Sequence, residues 1–171
     1  RDGDSLNVND TVERGIRDLG PEDRAAQVAI ARAIAVIAHR GQVDKSGAAY
    51  VAHPEAVAAR FAADQTLEIA AAWLHDVVED TDITATDLAA AGVHPEVVTV
   101  VELLTRRPDQ GDTYYARIAA HPAARAVKLA DIRHNTDPAR VARLDEATQQ
   151  RLREKYTAAA AALGTTLEEL A

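Results

Sequence analysis

The chain has no cysteine and no methionine. Without thiols it can form no disulfide, hold no zinc through thiolates and offer no thiol nucleophile, a usage that suits a reducing cytoplasm, the expected location. Without methionine it holds no translation start, and Arg1-Asp2-Gly3-Asp4-Ser5 does not resemble a signal peptide, so the first residues read as a trimmed or fused end. Aromatics are scarce: one Phe, one Trp and four Tyr in 171 residues, although 47% of the chain is hydrophobic. The core must then be built from alanine and aliphatic side chains, which favours closely spaced helices. Lysine occurs only at positions 45, 128 and 155, and the net charge is −8. That balance argues against the basic patch a nucleic-acid partner requires. A small anionic ligand held through a metal stays allowed. No run approaches the ~18 apolar residues of a membrane span, so no membrane partner is expected either. The length suits one domain, and homo-oligomerisation is left open.

What the chain does contain is centred on Ala70-Ala71-Ala72-Trp73-Leu74-His75-Asp76-Val77-Val78-Glu79-Asp80-Thr81. The spacing predicts one helix from Thr66 to near Asp80. With His75 at zero and about 100° per residue, Glu79 falls near 40°, Asp76 near 100° and Asp80 near 140°, while Trp73, Val77, Leu74, Val78 and Ala71 fill the remaining arc. A solvated face would usually mix cations with its acids. Here three carboxylates and an imidazole crowd together without one, and a divalent metal is a ready counter-charge.

Along the rest of the chain, Asn9 or Asp10 can cap a short helix to Leu19, with Gly20-Pro21 as the break. A long helix runs from Pro21 to about His39, and its continuous apolar run predicts a central position. Residues 41–52 lose the helical period and form a loop or short extended segment. Pro54 suits the first position of a helix reaching Phe61 or Ala63, which makes His53 its cap. Thr84 and Asp87 form a capping box for a short helix ending at Gly92. His94-Pro95 and His121-Pro122 open two further helices, with both histidines as caps, and Asp112 caps another. Lys128, Asp131 and Asn135 share one face of the helix ending at Asn135, where an exposed ion pair is the plain alternative to a site. A last long helix follows Asp145. No strand shows convincing alternation, so the fold is expected to be all-α, a single bundle of eight to ten helices, with residues 1–20 a tail and short helix, 21–163 the domain and 164–171 a tail.

The order His53, His75-Asp76, Asp131 resembles that of the HD-domain metal phosphohydrolases. The surrounding words are more specific: Ala38-His39-Arg40-Gly41-Gln42, Lys45-Ser46-Gly47, Tyr50-Val51-Ala52-His53-Pro54, Leu74 through Thr84, and Val127-Lys128-Leu129-Ala130-Asp131 with His134-Asn135. From about residue 25 to residue 135 they resemble the hydrolase domain of the Rel/Spo stringent-response enzymes and the small alarmone hydrolases. The resemblance implies that residues 21–163 are an HD hydrolase domain in which His53, His75, Asp76 and Asp131 bind one divalent metal, Mn²⁺ in the family. It implies Glu79 and Asp80 as catalytic acids, and Lys45, Ser46 and Asn135 as holders of base and ribose. The expected substrate is a nucleotide such as ppGpp, cleaved to GDP or GTP and pyrophosphate. Two departures stand out. Asp44 occupies a position where the family carries Arg, and Asp137 another where it carries a cation. If the pocket accepts an alarmone, Asp44 must turn to solvent or pair with a neighbour such as Arg40 or Arg133. Two other readings stay open: an HD hydrolase of another nucleotide or phosphoester, which Asp44 and Asp137 favour, and a non-catalytic sensor, against which the complete set of six acidic and imidazole groups argues.

Overall fold

The computed structural model describes residues 13–171. The proposed cap at Asn9 or Asp10 lies outside them, and the segment that follows is a 3₁₀ turn at Ile16–Asp18. Among the described residues there is no strand, only an isolated antiparallel bridge between Val43 and Ala49 within the 41–52 loop. The helices are α1 (Pro21–Ala38), α2 (Ala52–Ala58), α3 (Thr66–Leu74), α4 (Val77–Asp80), α5 (Ala85–Ala90), α6 (Pro95–Leu104), α7 (Thr113–Ala119), α8 (Pro122–Asn135), α9 (Pro138–Val141), α10 (Glu146–Ala162) and α11 (Leu167–Leu170). Among the described residues eight have six residues or more, matching the expected eight to ten, and α4, α9 and α11 are single turns.

α3 is the central element, with α1, α2, α6 and α8 packed round it. Its Ala70, Ala71, Ala72 and Leu74 are wholly buried. Alanine at three successive positions lets neighbouring helices approach closely on several sides, as the shortage of aromatics required. Buried Val57 from α2, Val97, Val100 and Val101 from α6, and Val127 and Ile132 from α8 complete this core. α1 departs from its expected central position. It buries only Gln27, Ala31 and Ala35, and leaves Val36 and Ile37 exposed.

Several ends follow local chemistry. The Thr84/Asp87 capping box is formed, the His94 side chain accepts from the Glu96 N–H, and His121 accepts from the Ala124 N–H. Asp145 caps α10 through the Thr148 N–H. Asp112 stands at the N-cap of α7 without a side-chain bond. His53 is not a cap: α2 begins at Ala52, so His53 is its second residue and Pro54 its third. The turns Ala52 N–H to Ala49 and His53 N–H to Tyr50 carry the chain into the helix earlier, and Pro is tolerated there because first-turn N–H groups need no helical partner.

Candidate active site

The expected single helix from Thr66 to Asp80 is interrupted at His75-Asp76, between α3 and α4. The cause is local. In an uninterrupted helix the Ala72 carbonyl would accept the Asp76 N–H, but it receives the His75 ring Nδ1–H at 2.6 Å. A side chain inserted into the ladder bends the helix, and Asp76 relaxes to φ −105°, ψ −3°. The same bond fixes the His75 tautomer, so that Nε2 turns its lone pair towards the site.

Three separate helices converge there. His53 Nε2 from α2 lies 3.2 Å from His75 Nε2 and 2.9 Å from Asp131 Oδ1 of α8. His75 Nε2 lies 3.5 Å from the same oxygen and 3.0 Å from Asp76 Oδ2, which is 3.7 Å from His53 Nε2. Two atoms at right angles on an ion with bonds of about 2.1 Å stand about 3.0 Å apart. The observed spacings fit that arrangement, and His53, His75 and Asp131 each offer a ligand atom within 4.8 Å of the others. The donor set of imidazole and carboxylate suits a divalent transition metal.

The surroundings hold these groups in place. Lys128 Nζ donates to Asp131 Oδ2 at 2.9 Å and Asn135 Nδ2 to Asp131 Oδ1 at 2.8 Å. Asp131 is buried and Lys128 partly so, unlike the exposed pair that i, i+3 spacing alone would suggest. Burial opposes the charge on Asp131, but Lys128 and the two histidines hold its carboxyl well below the usual range. Burial likewise opposes a charged His75, yet Asp76 and Asp131 raise it well above the ordinary histidine range, so the cluster calls for positive charge at its centre. His53 Nδ1 faces His134 Nδ1 at 2.6 Å. Burial and His53 push His134 down to about 4, which makes it a neutral acceptor for the His53 Nδ1–H while His53 Nε2 faces Asp131. Tyr50 donates its hydroxyl to Asp76 Oδ2 at 2.6 Å and stands 3.2 Å from Asp80 Oδ2.

Glu79 and Asp80 lie on the exposed rim of the cluster. Partial burial, reinforced by the charge of Asp76, raises both carboxyls. Glu79 Oε1 accepts the Arg106 N–H at 2.9 Å, leaving its other oxygen to the cavity. That cavity, about 440 Å³, is lined by His53, Asp76, Asp131, Glu79 and Asp80 on the cluster side, and also by Lys45, Ser46 and Asn135. A larger and more apolar groove of about 640 Å³ shares Asn135 and Leu152 with it but contains none of the clustered side chains His53, His75, Asp76 and Asp131.

Asp44 also lines the cavity, and it pairs with neither Arg40 nor Arg133. Its Oδ1 accepts from the Ser46 N–H (2.8 Å), the Ser46 hydroxyl (2.7 Å) and the Ala48 N–H (3.0 Å), and its Oδ2 lies 3.4 Å from Arg140 Nη2. Asp137 points elsewhere, and its carboxylate caps α9 through the Ala139 N–H. Sequence reasoning missed Arg140, Lys155 and Tyr156, which line the cavity from α9 and α10. The rarity of lysine was a signal for Lys155 alone.

No family model matches the chain. Among curated proteins, a guanosine-3′,5′-bis(diphosphate) 3′-pyrophosphohydrolase of Vibrio cholerae is 50% identical over 56 residues, 31% of this chain. The bifunctional (p)ppGpp synthase/hydrolase SpoT of Escherichia coli is 42% identical over 71 residues, 40% of this chain. The matched stretches span 8% and 10% of the lengths of those two relatives. A solved structure of a metazoan ortholog of SpoT, described as hydrolyzing ppGpp and acting in starvation responses, superimposes with a TM-score of 0.65 at 23% identity, over 85% of this chain and 93% of that one. At that identity the likeness is one of fold, an all-α HD-type bundle, and the sequence matches agree with the resemblance to the Rel/Spo hydrolase domain.

Proposed function

We propose that the chain is a metal-dependent nucleotide phosphohydrolase that removes the 3′-diphosphate of (p)ppGpp, giving GDP or GTP and pyrophosphate. The observation that carries this reading is the convergence of His53, His75, Asp76 and Asp131 from three helices beside Glu79 and Asp80 in a cavity also lined by lysines. The four ligands would hold one divalent ion, with Mn²⁺ suggested by the family resemblance. Such an ion, when bound, acidifies a water molecule and offsets phosphate charge.

The protein's own groups do the rest. Glu79, steadied by the Arg106 N–H, orients the attacking water with its free oxygen and, with Asp80, takes its proton. The water oxygen attacks the phosphorus nearest the ribose, the bond to the 3′-oxygen breaks, and that oxygen leaves with a proton while pyrophosphate is released. Lys45, Ser46 and Asn135 hold base and ribose. Lys128 neutralises Asp131 and holds its carboxylate in place through Oδ2.

The alternative of another phosphoester rested on Asp44 and Asp137. Asp44 is satisfied by its own loop and Arg140, and Asp137 by a helix end, so neither presents a bare charge to a polyanion. The test is product analysis on a nucleotide panel with Mn²⁺. Pyrophosphate from ppGpp is expected, and orthophosphate or no turnover would overturn the assignment. Elemental analysis of His75→Ala and Asp131→Ala should show lost metal, and full stoichiometric metal in either variant would mean that the ligands are wrongly assigned.

A further inference from the structure

All three lysines of the chain line the one cavity, in a protein with 19 basic side chains and a net charge of −8. Their charges are not equally available. Lys128 is bound to Asp131 at 2.9 Å, and Arg140, the fourth cation of the cavity, is paired with Asp44. Lys45 and Lys155 have no carboxylate within ion-pair distance among the described residues. Lys45 stands on the 41–52 loop. Lys155 stands on α10 with its ammonium 5.3 Å from the ring centroid of the buried Tyr156, another lining residue.

A lysine curled over an aromatic face keeps its charge partly compensated while its N–H groups stay available for an anion. Partial burial, and then the charge of Lys128, push Lys155 below the ordinary lysine range. Lys155 lines the same cavity as Lys128, His53, Asp76 and Asp131, and its helix α10 packs against α8, which carries Lys128 and Asp131. A cation with no carboxylate partner, in a cavity it shares with other cations, is unfavourable in the free protein, and a bound phosphate would relieve that repulsion.

We infer that Lys155 is a specificity-determining residue that binds the outer phosphate of the diphosphate being removed, and so selects a diphosphate over a monophosphate. This rests on the hydrolase reading for its substrate, but the anion contact itself does not require turnover. The experiment has two arms. In the first, Lys155→Met should lower kcat/KM for ppGpp about ten- to a hundredfold, chiefly through KM, since the contact exists before and during reaction. Lys155→Arg should recover most of the loss. In the second, inorganic pyrophosphate and orthophosphate are titrated into the intact chain by calorimetry, with and without Mn²⁺. Lys155→Met should weaken pyrophosphate by a similar factor and leave orthophosphate nearly unchanged. If the wild type fails to cleave ppGpp yet loses pyrophosphate affinity in the variant, the lysine site stands and the substrate assignment falls. Wild-type pyrophosphate affinity in Lys155→Met, equal losses for both anions, or no pyrophosphate binding by the wild type would each overturn the inference.

Discussion

Asp44 is the residue at which sequence comparison and geometry give opposite expectations. From the resemblance alone, replacing it by Arg should restore a cation and raise ppGpp hydrolysis. In the structure its carboxylate accepts three hydrogen bonds from Ser46 and Ala48, and its second oxygen holds Arg140. Asp44→Arg would free the loop that carries Lys45 and Ser46, so activity is expected to fall, by about tenfold or more, and Asp44→Ala should behave similarly. Asp44→Asn keeps one acceptor oxygen and should fall between them and the wild type, with a stability loss of about 1 kcal/mol. Measured kcat/KM and urea denaturation of the three variants check this, and a faster Asp44→Arg enzyme would refute it. Burial alone would raise this carboxyl, but the Ser46 and Ala48 bonds and Arg140 lower it below 3.8. Its stabilisation is therefore present above pH 3.8 and lost only as pH falls through the lowered value. Glu79 offers a cleaner test of role. Glu79→Gln retains a carbonyl oxygen for the Arg106 N–H, so it should keep its metal while turnover drops about 10² to 10⁴-fold. Metal lost with activity would make Glu79 a ligand.

The elements were legible where a local rule decides them, and obscure where a tertiary contact does. Capping at Thr84, His94, His121 and Asp145 follows from short-range hydrogen bonds written in the sequence. The break between α3 and α4 does not, because 3.6-residue periodicity cannot show that the His75 ring will take the Ala72 carbonyl. Thus four polar groups were rightly grouped on one stretch, for a helix that is not continuous. Tyr50 and His134 lay within the quoted words but gained roles only once folding brought them against Asp76 and His53. Arg140 and Lys155 come from elements further downstream with no motif to mark them. The alanine face of α3 carries its own prediction. Ala71 is fully buried in the central cluster, so Ala71→Leu must force neighbouring helices apart and cost about 1–3 kcal/mol. Urea unfolding should show a lower midpoint, and an unchanged one would mean that α3 tolerates wider spacing than its alanines indicate.

At the scale of the whole molecule, residues 53, 75 and 131 tie together helices far apart in sequence, so an ion that binds only the folded chain must stabilise all of it. With free Mn²⁺ at a hundred times its dissociation constant, the gain is about 2.7 kcal/mol. For a chain of this length that corresponds to a rise in Tm of about 5–10 °C. The rise should disappear with a chelator, and in His75→Ala or Asp131→Ala. Its pH dependence follows from His75, whose raised value means that the folded state holds a proton more tightly than the unfolded one. In metal-free protein that contribution is fully present below the unfolded value of 6.5 and is lost as pH rises through the raised one. A metal needs the neutral imidazole, so proton and ion compete for the same nitrogen. The Mn²⁺ increment in Tm should therefore grow as pH rises towards the raised value and shrink steadily as pH falls. Paired melting curves with Mn²⁺ and with chelator at a series of pH values measure this directly. An increment that stayed constant or grew on acidification would show that the ion binds without displacing the His75 proton, somewhere other than this cluster.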